Sequence, residues 1–112
     1  MKKVASIELD YYEVDDLLLS LSDYWMRVST QRKPLYAENT TVYHLKKDYE
    51  GLRKRQYKMS DEGRKKIKLK VDAVEALMIC YALKKSVGTK GGNKVLGMCD
   101  KYELKSIQYE VN

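Results

Sequence analysis

Two stretches of the chain, IELDYYEVDDLLLSL (7–21) and LKVDAVEALMICYAL (69–83), repeat one pattern at an offset of 62 residues. Each has a short apolar/polar alternation, then an Asp with a Glu three residues on, then apolar residues at helical spacing. Alternation with period two is the mark of a half-buried strand, and Asp-x-x-Glu before an apolar run is a helix-capping pattern. The chain is therefore expected to contain two similar strand–helix units. Only a few positions are identical, so the repeat supports likeness of structure without establishing a duplication.

The first unit reads as a strand over Val4–Leu9, an N-cap at Asp10 and a helix from Tyr11. Val14, Leu17, Leu18, Leu21, Trp25 and Val28 follow one helical face. Acids crowd the opening turns, where the positive end of the helix dipole favours them. Tyr12, Leu19 and Met26, spaced by seven, form a second apolar stripe nearly opposite the first, among Asp15, Asp16 and Asp23. Such a stripe is either covered by the C-terminal part of the same chain or is a partner or dimer surface rimmed by acids.

Residues 29–40 contain the only Pro and several turn formers and read as a loop. Thr40 or Thr41 then caps a helix with a stripe of Val42, Leu45, Tyr49 and Leu52, closing on Arg53-Lys54-Arg55, where cations suit the negative helix end. Beyond it, Ile67, Leu69 and Val71 alternate with Lys66, Lys68 and Lys70. A strand puts the apolar side chains on one face and the ammonium groups on the other, and it is preferred over a helix continuing into residue 73. The helix from Ala73 to about Ser86 is apolar nearly all round and reads as the buried centre of the fold, ended by Gly88. Residues 88–93 read as a flexible loop, and Val95–Cys99 and Ser106–Val111 as two further strands. The expectation is one α+β domain over residues 1–112, with about three helices packed on a small, mostly antiparallel sheet of three or four short strands.

Charge is divided unevenly. Residues 1–26 hold two lysines against six acids, a net of −4, while residues 53–70 hold nine bases against Asp61 and Glu62, a net of +7. Arg53, Lys54, Arg55, Lys58, Arg64, Lys65, Lys66, Lys68 and Lys70 make a basic surface suited to phosphates by electrostatics and counterion release, with Tyr57 the one stacking group within it.

No motif brings catalytic chemistry. His44, the sole imidazole, has no nucleophile or acid tied to it by a recognisable spacing. Glu103-Leu104-Lys105 resembles the end of a metal-dependent nuclease site only superficially, because Asp100 is too near to be the usual second-strand acid. GTKGGNK (88–94) lacks the phosphate-loop spacing. Cys80 and Cys99 fit reduced core thiols, not a disulfide framework or metal site. No cofactor is expected. No apolar run approaches a membrane span, and the expected compartment is the cytoplasm.

Lysine outnumbers arginine seventeen to five, with ten Tyr and no Phe, a usage that fits a low-GC bacterium or its phage. Together these features suggest a small non-catalytic protein of a phage or mobile element that binds and occludes a host protein, such as a nucleic-acid-processing or defence complex. The alternatives are a nonspecific DNA- or RNA-binding module using residues 53–70, and a homo-oligomer in which the acidic helix of one copy meets the basic strand of another.

Overall fold

Strand β1 (Lys3–Asp10) pairs antiparallel with β2 (Lys66–Asp72), and their register sorts the side chains cleanly. Ala5, Ile7 and Leu9 lie opposite Val71, Leu69 and Ile67, forming the apolar face that meets the helices. Ser6, Glu8 and Asp10 lie opposite Lys70, Lys68 and Lys66 on the outer face. Side chains alternate across a strand, so one apolar residue in two is enough to fix which face is buried. In this computed structural model residues 3–30 and 36–111 are described, with the side chains of Val4, residues 36–39 and residues 101–111 outside that description.

Both strands run straight into helices through the same device. Asp10 caps α1 (Tyr11–Ser29): its Oδ1 accepts from the Glu13 amide at 2.8 Å, and Glu13 Oε1 accepts from the Asp10 amide at 3.0 Å. Asp72 caps α3 (Ala73–Lys84) by the same pair of bonds with Glu75, at 2.8 and 3.2 Å. Each capping box satisfies amides that a helix start would otherwise leave without partners. Burial also repeats at the 62-residue offset: Leu17 and Ile79, Leu18 and Cys80, and Leu21 and Leu83 are buried, whereas Tyr12 and Val74, and Leu19 and Tyr81, are exposed. In the sheet, Ile7 lies opposite Leu69, its own counterpart at that offset. The two strand–helix units are thus related by a pseudo-twofold axis passing between Ile7 and Leu69.

The remaining helices, α2 (Tyr36–Asp61) and α4 (Lys90–Val111), follow the same order but not the same packing, since α4 lies closely on α1 whereas α2 touches α3 only slightly. Helix α2, which follows α1, packs beside β2; α4, which follows α3, packs beside β1. Each unit's second helix therefore lies along the other unit's strand. Arg55 of α2 donates to the Lys68 carbonyl at 2.5 Å, and Lys94 of α4 donates to the Glu8 carbonyl at 2.9 Å.

The fold is α+β; the described residues form four helices rather than about three and a sheet of two strands rather than three or four. The difference lies in α4. Residues 95–99 and 106–111 are helical, and so are residues 90–93 of the expected glycine loop. Helix α2 is also longer than its cap and cation signals imply. It begins at Tyr36, inside the expected loop, of which residues 31–35 lie outside the described residues. It runs past Arg55 because Gln56 and Met59 continue the buried stripe of Leu45 and Leu52. Its end is a Schellman turn: the Gly63 amide donates to Ser60 O at 3.2 Å and the Arg64 amide to Met59 O at 2.9 Å. Gly63 adopts φ of 68°, the left-handed conformation this turn requires.

Two burial expectations change as well. On α1 it is Tyr24 that is fully buried, while Trp25 is half-buried and packs edge-on against Tyr49 with ring centroids 4.7 Å apart. Helix α3 is not the buried centre, since Val74, Leu77 and Tyr81 face outward.

Candidate interaction surfaces

The second stripe of α1 is open. Tyr12 is 78% exposed, Leu19 57% and Met26 62%, whereas the opposite face, from Val14 to Val28, is buried. The described contacts of α4 with α1 lie along other residues. Thr89 caps α4 by accepting from the Gly92 amide at 3.0 Å, and its hydroxyl lies 2.9 Å from that of Ser20. A Cβ on Gly91 would lie 2.8 Å from Asp16 Cβ and would also strike the Glu13 carbonyl; one on Gly92 would lie 2.8 Å from Ser20 Oγ. These glycines are close-packing residues, which explains why a loop-like GTKGGNK sequence begins a helix.

The acids expected to rim this stripe are turned to internal contacts. Asp15 Oδ1 accepts from Arg53 Nη1 at 2.8 Å and from Gln56 Nε2 at 2.8 Å. Asp16 accepts from the Gly91 amide at 3.1 Å, placing a carboxylate at the positive end of α4. Asp23 pairs with Arg27 at 3.0 Å and accepts from the Val87 amide at 2.9 Å. That last bond brings the exposed Val87 to the flank of the α1 stripe. Periodicity reveals the stripe; the use of its acids depends on which helices pack beside it.

The basic surface is also smaller than the sequence implies. Arg53 is drawn between α1 and α2, bonded to Asp15, Gln56 and the Tyr49 hydroxyl. Lys54, Arg55, Lys58, Arg64, Lys65, Lys66, Lys68 and Lys70 are exposed, and Tyr57 beside them is exposed too. Five of these cations, Arg55, Lys58, Arg64, Lys66 and Lys68, converge on a cleft of about 490 Å³ between the last turns of α2 and the edge of β2. Glu8 and Glu62 enter the same cleft, so the field is positive but interrupted.

Elsewhere the chemistry-bearing residues are dispersed. His44 is exposed on α2, its ring edge-on to Tyr43 at 5.4 Å. Asp48, one turn further, has its carboxyl pushed above the usual range by burial. The Glu103-Leu104-Lys105 segment belongs to α4, not to a strand, and its side chains lie outside the described residues. Asp100 accepts from Cys80 Sγ at 3.2 Å and pairs with Lys84 at 3.1 Å; both contacts hold its carboxyl below the usual range. Cys99 is buried on α4, not on a strand, and burial pushes its thiol up to about 11, which keeps it neutral. Among the described residues no group of three His, Cys, Asp or Glu converges as metal ligands, and no helix is long and apolar enough to cross a membrane.

No protein-family model, curated protein or solved structure matches the chain.

Proposed function

We propose that the protein is a non-catalytic binding protein that docks on another protein through the outer stripe of α1, Tyr12, Leu19 and Met26, and occludes it. The observation carrying this reading is the exposure of all three side chains on a helix whose opposite face already supplies the core. Scattered apolar residues on a surface are ordinary, but these three recur every second turn along one side of α1, with the exposed Val87 bonded at Asp23 on its flank. Such residues gain free energy when a partner removes them from water, roughly 25 cal/mol per Å² of apolar surface. The lysine- and tyrosine-rich, arginine-poor usage fits the origin part of this reading, a phage or mobile-element accessory protein, and the target proposed with it is a host nucleic-acid-processing or defence complex.

The two alternatives have less support. A nonspecific nucleic-acid module is weakened by the withdrawal of Arg53 into the helix interface and by the acids in the basic cleft. A homo-oligomer joining the acidic helix to the basic strand is weakened because Asp15, Asp16 and Asp23 are already engaged. Affinity capture from a low-GC host lysate, with and without nuclease, tests the reading. The expected result is a protein retained after nuclease by the parent and lost with a Leu19→Asp bait. Release by nuclease would favour the nucleic-acid alternative.

A further inference from the structure

A two-stranded sheet has two edges, and that of β2 faces the cationic cleft between it and the last turns of α2. In an antiparallel pair, backbone groups alternate between facing the partner strand and facing outward. The Lys68 carbonyl receives Arg55 from outside the sheet, and the Glu8 carbonyl opposite it receives Lys94 from the other side. This residue pair therefore turns its backbone groups outward. By alternation, Lys66 and Lys70 also present their N–H and C=O groups at the outer edge of β2.

We infer that this edge accepts an extended acidic segment of a partner protein, added as a third strand along Lys66–Lys70. A segment of about five residues spans that length at roughly 3.3 Å per residue. Its alternate side chains would fall on two unlike surfaces. One set joins the outer face carrying Lys66, Lys68 and Lys70; the other meets the cleft wall, where only the edges of the core residues Met59 and Ile67, 3% and 8% exposed, are apolar, so small side chains fit there. An alternating acidic and apolar segment matches both: its main chain takes over the Lys68 carbonyl from Arg55, and Arg55, Lys58 and Arg64, the last exchanging its pair with Glu62, complement its carboxylates. Strand addition of this kind takes affinity from main-chain bonds and specificity from alternate side chains.

Two other readings of the cleft fit less well. Lysines on an edge strand can serve to discourage edge-to-edge aggregation. That role explains Lys66, Lys68 and Lys70 but not the convergence of cations from α2 and the turn with apolar residues between them. Glu8 and Glu62 repel any anion in the cleft; a polynucleotide, charged on every unit and without N–H and C=O groups spaced to pair with a strand edge, gains less there than a segment charged at alternate residues. The inference uses none of the α1 stripe residues, so it stands or falls separately from docking through Leu19.

The test uses an end-capped eight-residue peptide alternating Glu and Val, titrated at low salt into ¹⁵N-labelled protein. Saturable shifts and slowed exchange are expected at the Lys66, Lys68 and Lys70 amides. N-methylation of alternate peptide amides should weaken binding at least about tenfold by removing main-chain bonds. A Lys58→Glu/Arg64→Glu variant with an unchanged circular dichroism spectrum should lose at least about tenfold through like-charge repulsion. A five-nucleotide oligothymidylate, carrying the same number of charges, should bind at least about tenfold more weakly. Absence of saturable binding at millimolar peptide would leave the lysines as edge protection and overturn the inference. Equal binding of the N-methylated peptide would reduce the cleft to an unselective charged patch, and displacement of the peptide by the oligothymidylate would make it a nucleic-acid site; either result also overturns it.

Discussion

Asp15 of α1 and Arg53 of α2 bond directly at 2.8 Å, and both bond the side-chain amide of Gln56, which is fully buried. Gln56 Nε2 also donates to the Tyr11 carbonyl at 3.1 Å, so this one amide ties α2 to the start of α1. Residues that composition assigns to opposed charged surfaces thus form a single joint between two helices. Gln56→Ala should cost about 1–3 kcal/mol, since it leaves polar groups at a buried site without partners. Lys54→Ala, two positions away and exposed, should stay within about 0.5 kcal/mol. Urea denaturation of the two variants checks this, and equal losses would contradict it.

The glycines of α4 should divide into two kinds. Gly91→Ala and Gly92→Ala each place a methyl against α1 or its hydrogen-bonded neighbours and should destabilise by about 1–3 kcal/mol, as overpacking does. Gly97 and Gly51 are helical with nothing within 4 Å of an added Cβ. Alanine there should stabilise by roughly 0.5–1 kcal/mol, the usual difference in helix propensity. Melting temperatures of the four variants should therefore move in opposite directions.

Acid should destabilise the fold through three carboxyls held below their usual range. The Asp10 amide and then Lys94 act on Glu13, the Glu75 amide on Asp72, and Cys80 and then Lys84 on Asp100. Their stabilisation is complete above the unfolded value near about pH 4 and disappears as pH falls through the lowered folded values. Asp48 has the opposite sign: burial raises its folded value, so its penalty is present at neutral pH and relieved by acid. Urea midpoints followed from about pH 7 to about pH 3 should fall for the parent and fall less for Glu13→Gln. Asp48→Asn should raise the midpoint at neutral pH; a lower midpoint there would contradict the assignment.

Across the sheet, Glu8 and Lys68 are direct partners on the exposed face. Lys68→Glu should cost roughly 0.2–1 kcal/mol by placing like charges opposite each other, and adding Glu8→Lys should restore it. Ile67→Asp, on the buried face of the same strand, should cost at least about 3 kcal/mol. A cycle of denaturation measurements in which the double exchange restores nothing would contradict the register.

Much of this fold is readable before any coordinates. The Asp-x-x-Glu caps, the alternation in β2 and the apolar face of α1 are local signals, and each stands where its residues imply. Helix α4 was hidden because its signals are not local. Gly91, Gly92 and Gly97 look like breakers, and Val95 to Cys99 look like a strand, until α1 is present to be packed against. The stripe of Tyr12, Leu19 and Met26 is visible as a period of seven, but whether the chain covers it is a tertiary matter. The basic stretch misleads at Arg53 for the same reason: charge counts do not say which guanidinium turns inward.

Leu19→Asp tests docking through α1 most directly, read by thermal melting and by partner capture on the same preparation. Leu19 is more than half exposed and contributes little to the core, so the variant should melt within about 0.5 kcal/mol of the parent. At an interface the introduced charge would be buried without a partner, so capture of the nuclease-resistant partner should be abolished. Retention of that partner at parental strength by a folded Leu19→Asp protein, or a loss of several kcal/mol in stability with capture unaffected, would contradict the proposed docking surface.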